Sequence, residues 1–259
     1  MSGKIEIVGL GAGDIEQLPL GVYRRLTKQT GKVFLRTVDH PVVKELQQDG
    51  MEFISLDALY EESEQFAIVY KKIVATLLAA AKEDDVLYAV PGHPMLAEKT
   101  VQLLLEQTEV PVDIVGGHSY LDDLFTALQI DPIDGFQFVD GTDFQREELN
   151  YRHHVVFCQV YDAFIASEVK LTLLEDLPPE YEVTIIEAAG TAQEKIETLP
   201  LEDLDRTMSL SNLTSVYVPP APADILSHQF SSLREVIRTL RSENGCAWDR
   251  KQTHESLRE

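Results

Sequence analysis

Tyr88-Ala89-Val90-Pro91-Gly92-His93-Pro94-Met95-Leu96-Ala97-Glu98 is the stretch whose reading decides the fold. The apolar run Val86 to Val90 is a strand, the Pro-Gly-His-Pro segment a tight turn, and a helical pattern opens directly behind it. In open α/β sheets ligands sit outside the carboxyl ends of the strands, so a stiffened turn there is a natural cradle. Gly92 permits close approach of a ligand to backbone, and the two prolines limit how far the loop relaxes. An ordinary strand-to-helix turn reads the same way locally. A second glycine-rich strand end favours the functional reading.

That second end is Gly9-Leu10-Gly11-Ala12-Gly13-Asp14, after a strand at Lys4 to Val8. A helix follows with Pro19 in its first turn and Leu18, Val22 and Leu26 on one face. Val33 to Leu35 and Glu52 to Leu56 read as strands, with a short helix from Pro41 to Gln48 ending at Gly50. Ser63 to Lys82 is helical, its Phe66, Val69, Ile73 and Leu77 spaced for one buried stripe. Beyond the central turn a helix ends near Gln107, and Val112 to Val115 is another strand. Such alternation implies a parallel sheet covered on both faces. After Gly116-Gly117-His118-Ser119 comes a helix from Tyr120 to Leu128, and then the rhythm loosens. Strands at Phe136 to Asp140, His154 to Cys158, Glu182 to Glu187 and Thr214 to Val218, with a helix at Ala163 to Leu174, imply a second α/β unit with a mixed sheet.

The chain has 259 residues and a formal net charge of −22. Its length favours two domains, and its acidity excludes a nucleic-acid backbone as partner. The segment from Asp224 onward holds six basic and six acidic residues, so the whole excess lies before it. This step falls beside Pro219-Pro220-Ala221-Pro222 and marks a boundary. The organisation expected is an N-terminal half over 1–117, a second half over 118–218, a proline-rich linker over 219–228 and a helical segment over 229–259. In that last segment Phe230, Leu233, Ile237 and Leu240 form an apolar stripe, with capping-box spacing at Ser232 and Glu235. One amphipathic helix cannot bury its own face, so the tail either docks on the body or lacks its partner. No transmembrane run or signal pattern occurs, and two distant cysteines, Cys158 and Cys246, suit a reducing cytoplasm.

Competing chemistries fit poorly. Gly9-x-Gly11-x-Gly13 is one residue short of the dinucleotide spacing, and Arg36 precedes Asp39 where a ribose-binding acid belongs. No Gly-Lys-Ser/Thr follows any glycine run. His153-His154 lacks partners at metal-binding spacing and reads as surface, so no metal site is expected. Ser119 lacks a nucleophile elbow, and Cys158 lies in an apolar strand as a buried inert thiol.

Taken together, the loops Gly9 to Asp14, Pro91 to Pro94 and Gly116 to Ser119, with Glu187-Ala188-Ala189-Gly190-Thr191, resemble the tetrapyrrole (corrin/porphyrin) methylases, over essentially residues 1 to 220. The tail string Gly245-Cys246-Ala247-Trp248-Asp249 with Gln252-Thr253-His254 is similar to the opening of a MazG-type nucleoside triphosphate pyrophosphohydrolase. The resemblance is thus to the branch in which a methylase-like domain is fused to such a hydrolase, here truncated.

The resemblance implies a class III methyltransferase-like fold: two α/β units with S-adenosylmethionine or S-adenosylhomocysteine in the cleft between them, commonly as a homodimer, plus the C-terminal helical segment. By position, Pro91, Gly92, His93 and Leu96 would line the methionine and ribose side. Ser119 and Tyr120 would follow from the next loop, Cys158 and Gly190 would close on the adenine, and Ala12 would stand at the mouth. His93 replaces the aspartate usual in tetrapyrrole-modifying members, which leaves the methyl acceptor open. Methyl transfer from a sulfonium needs little acid–base machinery. For a poorly nucleophilic acceptor, Asp14, Tyr60 and Tyr70 are the candidate catalytic groups, although tyrosines covering apolar surface with wet hydroxyls read alike. The hydrolase's Mg2+ site needs clustered carboxylates, and residues 224 to 259 offer only Glu255 and Glu259 on one helix face. The rival expectation is a non-catalytic cofactor-binding or dimerisation platform for the hydrolase.

Overall fold

The computed structural model describes residues 3–61, 65–206 and 210–258. The chain divides into two units: residues 1–130 with 189–192, and residues 131–188 with 193–259. The first unit therefore runs past residue 117, where the loop pattern put its end. The reason is that Asp123, on the helix after that loop, bonds His118 and Gln17 of the same unit.

In the first unit β1 (Ile5–Gly9), α1 (Leu20–Lys28), β2 (Lys32–Leu35), α2 (Pro41–Gln48), β3 (Ile54–Ser55), α3 (Ala58–Glu61), α4 (Phe66–Ala81), β4 (Val86–Val90), α5 (Lys99–Glu106), β5 (Val112–Gly116) and α6 (Tyr120–Leu128) follow in order. The strands form a parallel sheet ordered β3-β2-β4-β1-β5. Every residue of β4 is buried. Ile5, Ile7, Val86, Tyr88 and Val90 point to one face, against Val69, Ile73 and Leu77 of α4 and Val101 and Leu104 of α5. Val8, Leu35, Leu87 and Ala89 point to the other, against α1 and α2. Both faces are covered, as alternation requires. Each fully buried aliphatic side chain contributes about 1.5–3 kcal/mol, so α4 is held by its stripe. Phe66, expected in that stripe, is 65% exposed and stacks on Tyr70 instead, with ring centroids 6.2 Å apart. Residues 63 and 64 of the expected helix lie outside the described residues. The expected strand from Glu52 to Leu56 shrinks to Ile54–Ser55 because it is an edge strand with a short pairing register. The helix behind the central turn starts only at Lys99, where Glu98 accepts from the Thr100 amide as its cap.

The second unit contains β6 (Phe136–Asp140), β7 (His154–Cys158), α7 (Ala163–Leu174), β8 (Glu182–Glu187), β9 (Lys195–Pro200), β10 (Thr214–Val218) and α8 (Phe230–Leu240). Its sheet, ordered β6-β7-β10-β8-β9, is mixed: β6 and β7 are parallel and the other pairs antiparallel. Strand β9, an exposed edge hairpin partner of β8, was not expected from the sequence. The core gathers Val155, Phe157, Val183, Ile185, Val216 and Val218 under Ile165, Val169 and Leu173 of α7. In the tail Ser232 and Glu235 do not form the expected capping box. Ser232 Oγ donates to the Leu226 carbonyl at 2.6 Å, and Glu235 pairs with Arg152 at 2.7 Å. The stripe of α8 stays exposed, Phe230 by 72% and Leu233 by 51%. No helix among the described residues is long and apolar enough to cross a membrane.

Candidate functional site

All strands of the first sheet are parallel, so their carboxyl ends share one edge, and backbone chemistry binds the loops there together. Leu10 N donates to the Val90 carbonyl at 2.8 Å, and Gly11 and Gly92 exchange bonds of 3.2 and 2.8 Å in an isolated antiparallel bridge. Such a bridge needs close backbones. A Cβ at Gly9 would lie 2.2 Å from the Gly92 carbonyl oxygen, and one at Gly117 would lie 2.6 Å from Gly9 Cα. Gly92 itself has φ +64°, which disfavours other residues, and a Cβ there would meet nothing within 4 Å. Of Gly92, Gly117 and Gly190, one on each of three glycine-bearing loops, only Gly92 faces open space. Gly117 exists for packing, and Gly190 is closed over by Asp123, 2.3 Å from a would-be Cβ.

His93 Nδ1 accepts from the Met95 amide at 3.2 Å, which places the proton of the neutral ring on Nε2. That nitrogen points at the end of β5, since a Cβ on Gly116 would be 3.8 Å from it. Pro91 and Leu96 are half-buried on the same loop, and Leu96 N bonds the His93 carbonyl at 2.9 Å. Ser119 caps α6, its hydroxyl accepting from the Leu121 amide at 3.2 Å, and Tyr120 is the half-buried first residue of that helix. Gln17 Nε2 donates to the Gly190 carbonyl at 2.8 Å and to Asp123 at 3.2 Å, bringing residue 190 to this edge. Ala12, half-buried, follows Gly11. His40 anchors the first loop: its Nε2 donates to the Gly11 carbonyl at 2.7 Å while Nδ1 caps α2. Burial holds this imidazole below its ordinary pKa, so it stays neutral.

The remaining expected residues make contacts of their own. Asp14 is exposed and its carboxylate accepts from the Glu16 amide at 3.1 Å, a local turn cap. Cys158 belongs to the second unit, at the end of β7. Burial beside Asp140 pushes its thiol up to about 11, so it is a neutral, half-buried thiol. His154, read as a surface residue, instead bonds the Tyr217 hydroxyl at 2.7 Å.

Tyr60 and Tyr70 meet in a network whose central members the sequence reading did not select. Arg36, directly after β2, donates from Nε to Tyr60 Oη at 2.9 Å and from Nη1 to Glu98 Oε2 at 2.9 Å. Its guanidinium lies 5.8 and 5.9 Å from the ring centroids of Tyr60 and Tyr70. The Glu98 side chain is 3% exposed and that of Arg36 25%. The other Glu98 oxygen accepts from the Thr100 hydroxyl at 2.7 Å, and Thr100 Oγ1 is 2.9 Å from Tyr88 Oη. The available signals were a charged residue at a strand's carboxyl end and the Glu98-x-Thr100 cap. Neither indicates that β2, α3 and α5 converge.

Backbone strain concentrates near the expected residues. Ala97, Gln159 and Ala188 hold φ of +53°, +62° and +52°, and each lies within two positions of Leu96, Cys158 or Gly190. Non-glycine residues adopt this region at a cost and cluster at binding loops.

Known proteins can be set beside this geometry. The family model for tetrapyrrole (corrin/porphyrin) methylases matches residues 4–205. A Bacillus subtilis (strain 168) protein, the uncharacterized protein YabN, is 53% identical over all of this chain, which covers 54% of it; the chain thus spans about half the length of that curated relative. Among solved structures, a uroporphyrin-III C-methyltransferase from Thermus thermophilus superposes with a TM-score of 0.65 at 23% identity, covering 84% of this chain and 94% of its own. A uroporphyrin-III C-methyltransferase of that organism complexed with S-adenosylhomocysteine gives 0.61 at 20%, covering 83% and 97%. Cobalt precorrin-4 methyltransferase, a cobalamin biosynthetic enzyme, gives 0.63 at 17%, covering 85% and 96%.

Proposed function

The chain belongs to the tetrapyrrole (corrin/porphyrin) methylase family, and on that footing we propose that it binds S-adenosylmethionine or its demethylated product and transfers the methyl group to an acceptor not yet identified. The observation that carries this reading is the Gly11–Gly92 bridge, which fixes two strand-end loops while leaving the Gly92 side open. Main chain can approach a nucleoside closely there, so the residues fit the cofactor. Its sulfonium would supply an electrophilic methyl carbon.

What the protein adds is binding and orientation. Gly92 and Pro91 offer backbone, His93 an Nε2 proton for an oxygen of the ligand, and Leu96 an apolar wall. Ser119, Tyr120, Ala12 and Gly190 complete the candidate set in the first unit, and Cys158 stays a candidate on the family resemblance alone. Asp14, Tyr60 and Tyr70 stay as candidates for acting on the acceptor, with Tyr60 best supported because Arg36 holds it. A homodimer in the cytoplasm and fusion to a MazG-type pyrophosphohydrolase belong to the same reading. Support for the fusion is the tail string Gly245 to His254 and the twofold greater length of the YabN relative. The present chain should then release no pyrophosphate from nucleoside triphosphates with Mg2+.

Calorimetric titration with S-adenosylhomocysteine tests the central claim. Micromolar binding is expected, and losing one charge-free hydrogen bond in His93→Ala should weaken it roughly tenfold. Absence of heat at millimolar ligand would leave only a platform for the hydrolase, and unchanged affinity in His93→Ala would show that the pocket lies elsewhere.

A further inference from the structure

The network around Glu98 has a direction that follows from which groups can donate. Arginine only donates and an ionised carboxylate only accepts. Thr100 gives its hydroxyl proton to Glu98 Oε1, so its oxygen accepts from Tyr88. Burial pushes the Tyr88 phenol far above its ordinary pKa, which keeps that proton in place. Arg36 sends one proton to Glu98 and another to Tyr60. Every hydroxyl proton of the chain Tyr88–Thr100–Glu98–Arg36–Tyr60 is thus committed inward except the one on Tyr60. With Arg36 occupying a lone pair of its oxygen, that proton must point away from the guanidinium, and among the described residues no acceptor takes it.

Three further observations say what it could meet. Tyr60 and Arg36 lie by the carboxyl end of β2, which neighbours β4 and its Pro91–Leu96 loop in the sheet. Phe66, exposed and stacked on Tyr70, adds an apolar shoulder. Glu98 cancels the charge of Arg36, and a chain of net charge −22 repels carboxylates, so the donor suits a neutral oxygen. We propose that Tyr60 donates a hydrogen bond to a neutral carbonyl oxygen of the methyl acceptor, and that Arg36 is the positioning residue that turns the Tyr60 proton toward it. This rests on the methyltransferase reading. Burial raises the Tyr60 phenol above its ordinary pKa and outweighs the lowering by Arg36, so Tyr60 acts as a neutral donor rather than as a phenolate base.

The test uses the full 259-residue chain labelled with [13Cζ]tyrosine, with and without S-adenosylhomocysteine, the Tyr60 line being identified by its loss in Tyr60→Phe. Among the described residues the charged groups acting on this phenol are Arg36 and Glu98, with Tyr70 beside them. Arg36→Met should move its titration upward and Glu98→Gln downward. The double variant Arg36→Met/Glu98→Gln, which strands no charge if a single variant fails to fold, should still move it upward, because Arg36 has the larger effect. N-methylacetamide should shift the Tyr60 line in the parent and not in Arg36→Met or the double variant, while acetate at equal concentration leaves it in place. A Tyr60 line indifferent to Arg36, or one answering acetate and not the amide, overturns the proposal. Calorimetry on the same samples separates the two readings: no cofactor binding sinks the methyltransferase, whereas binding with a failed tyrosine test sinks only this inference.

Discussion

The arginine–carboxylate cluster around Arg36 in the first unit and the one around Arg146 in the second differ in what is left over. In the first unit Arg36 meets Glu98 under cover, and the chain of bonds ends in a tyrosine proton that no acceptor among the described residues takes. In the second, Arg146 grips Asp176 through two nitrogens at 2.9 and 3.0 Å and Glu175 through the third at 2.6 Å. His228 adds a 3.0 Å bond to Asp176 from the turn before α8. That cluster fastens the end of α7 to the segments around it. A network that ties chain segments together holds structure, whereas one with an outward-facing donor is equipped to meet a ligand. The sheets differ in the same sense: the parallel one directs its strand ends to a single edge, while the mixed one divides them between two.

Stranding the buried charge should have the largest effect. Arg36→Met leaves Glu98 without a charged partner and should cost about 3–5 kcal/mol in denaturant unfolding, whereas Arg146→Met, which leaves Asp176 its bond to His228 and Glu175 in solvent, should cost less. Equal losses would mean that the second partner of Asp176 does not distinguish the clusters.

Acid should act on the first unit through His40. His40 is neutral in the folded protein with its pKa held below the ordinary 6.5, so its contribution is fully present above that value. Unfolded chains take up a proton as pH falls through 6.5 and the folded state does not, so stability declines until the folded pKa is passed. Melting temperature between pH 8 and pH 5 should show this decline, and His40→Asn, which can still cap α2, should flatten it.

A gentler change separates strain kept for binding from strain kept for a helix end. Ala97→Gly and Gln129→Gly each relieve a left-handed backbone and should stabilise by about 1 kcal/mol. Only the first, beside Leu96, should also weaken S-adenosylhomocysteine binding. The smallest effect belongs to the tail, where Leu233→Lys on the exposed face of α8 should change stability by no more than about 0.5 kcal/mol. A larger loss would show that this face is covered in solution.

Much of the architecture was legible because it is written locally. The stripe Val69, Ile73, Leu77, the apolar run of β4 and the boundaries of α2, α6 and α7 follow from periodicity and caps that need no knowledge of distant residues. Phe66 failed because periodicity says which side chains share a face, not where the covering neighbour stops. Strand β9 failed because an edge strand with exposed residues lacks the apolar signal that marks buried strands.

For the site, the residues carrying the loops were readable from glycine and proline placement, and their bridging was not. Composition and spacing alone determined two α/β units, an acidic body with a neutral tail, and glycine-rich turns at strand ends. Tertiary structure alone decided that Gly117 serves packing while Gly92 faces open space, and that Arg36, Tyr60, Glu98 and Thr100 form one directed network. The physical reason is range. A turn or a helical face is fixed by neighbours a few positions away, but hydrogen bonds between residues 36, 60 and 98 exist only once parallel strand order has brought β2 beside β4.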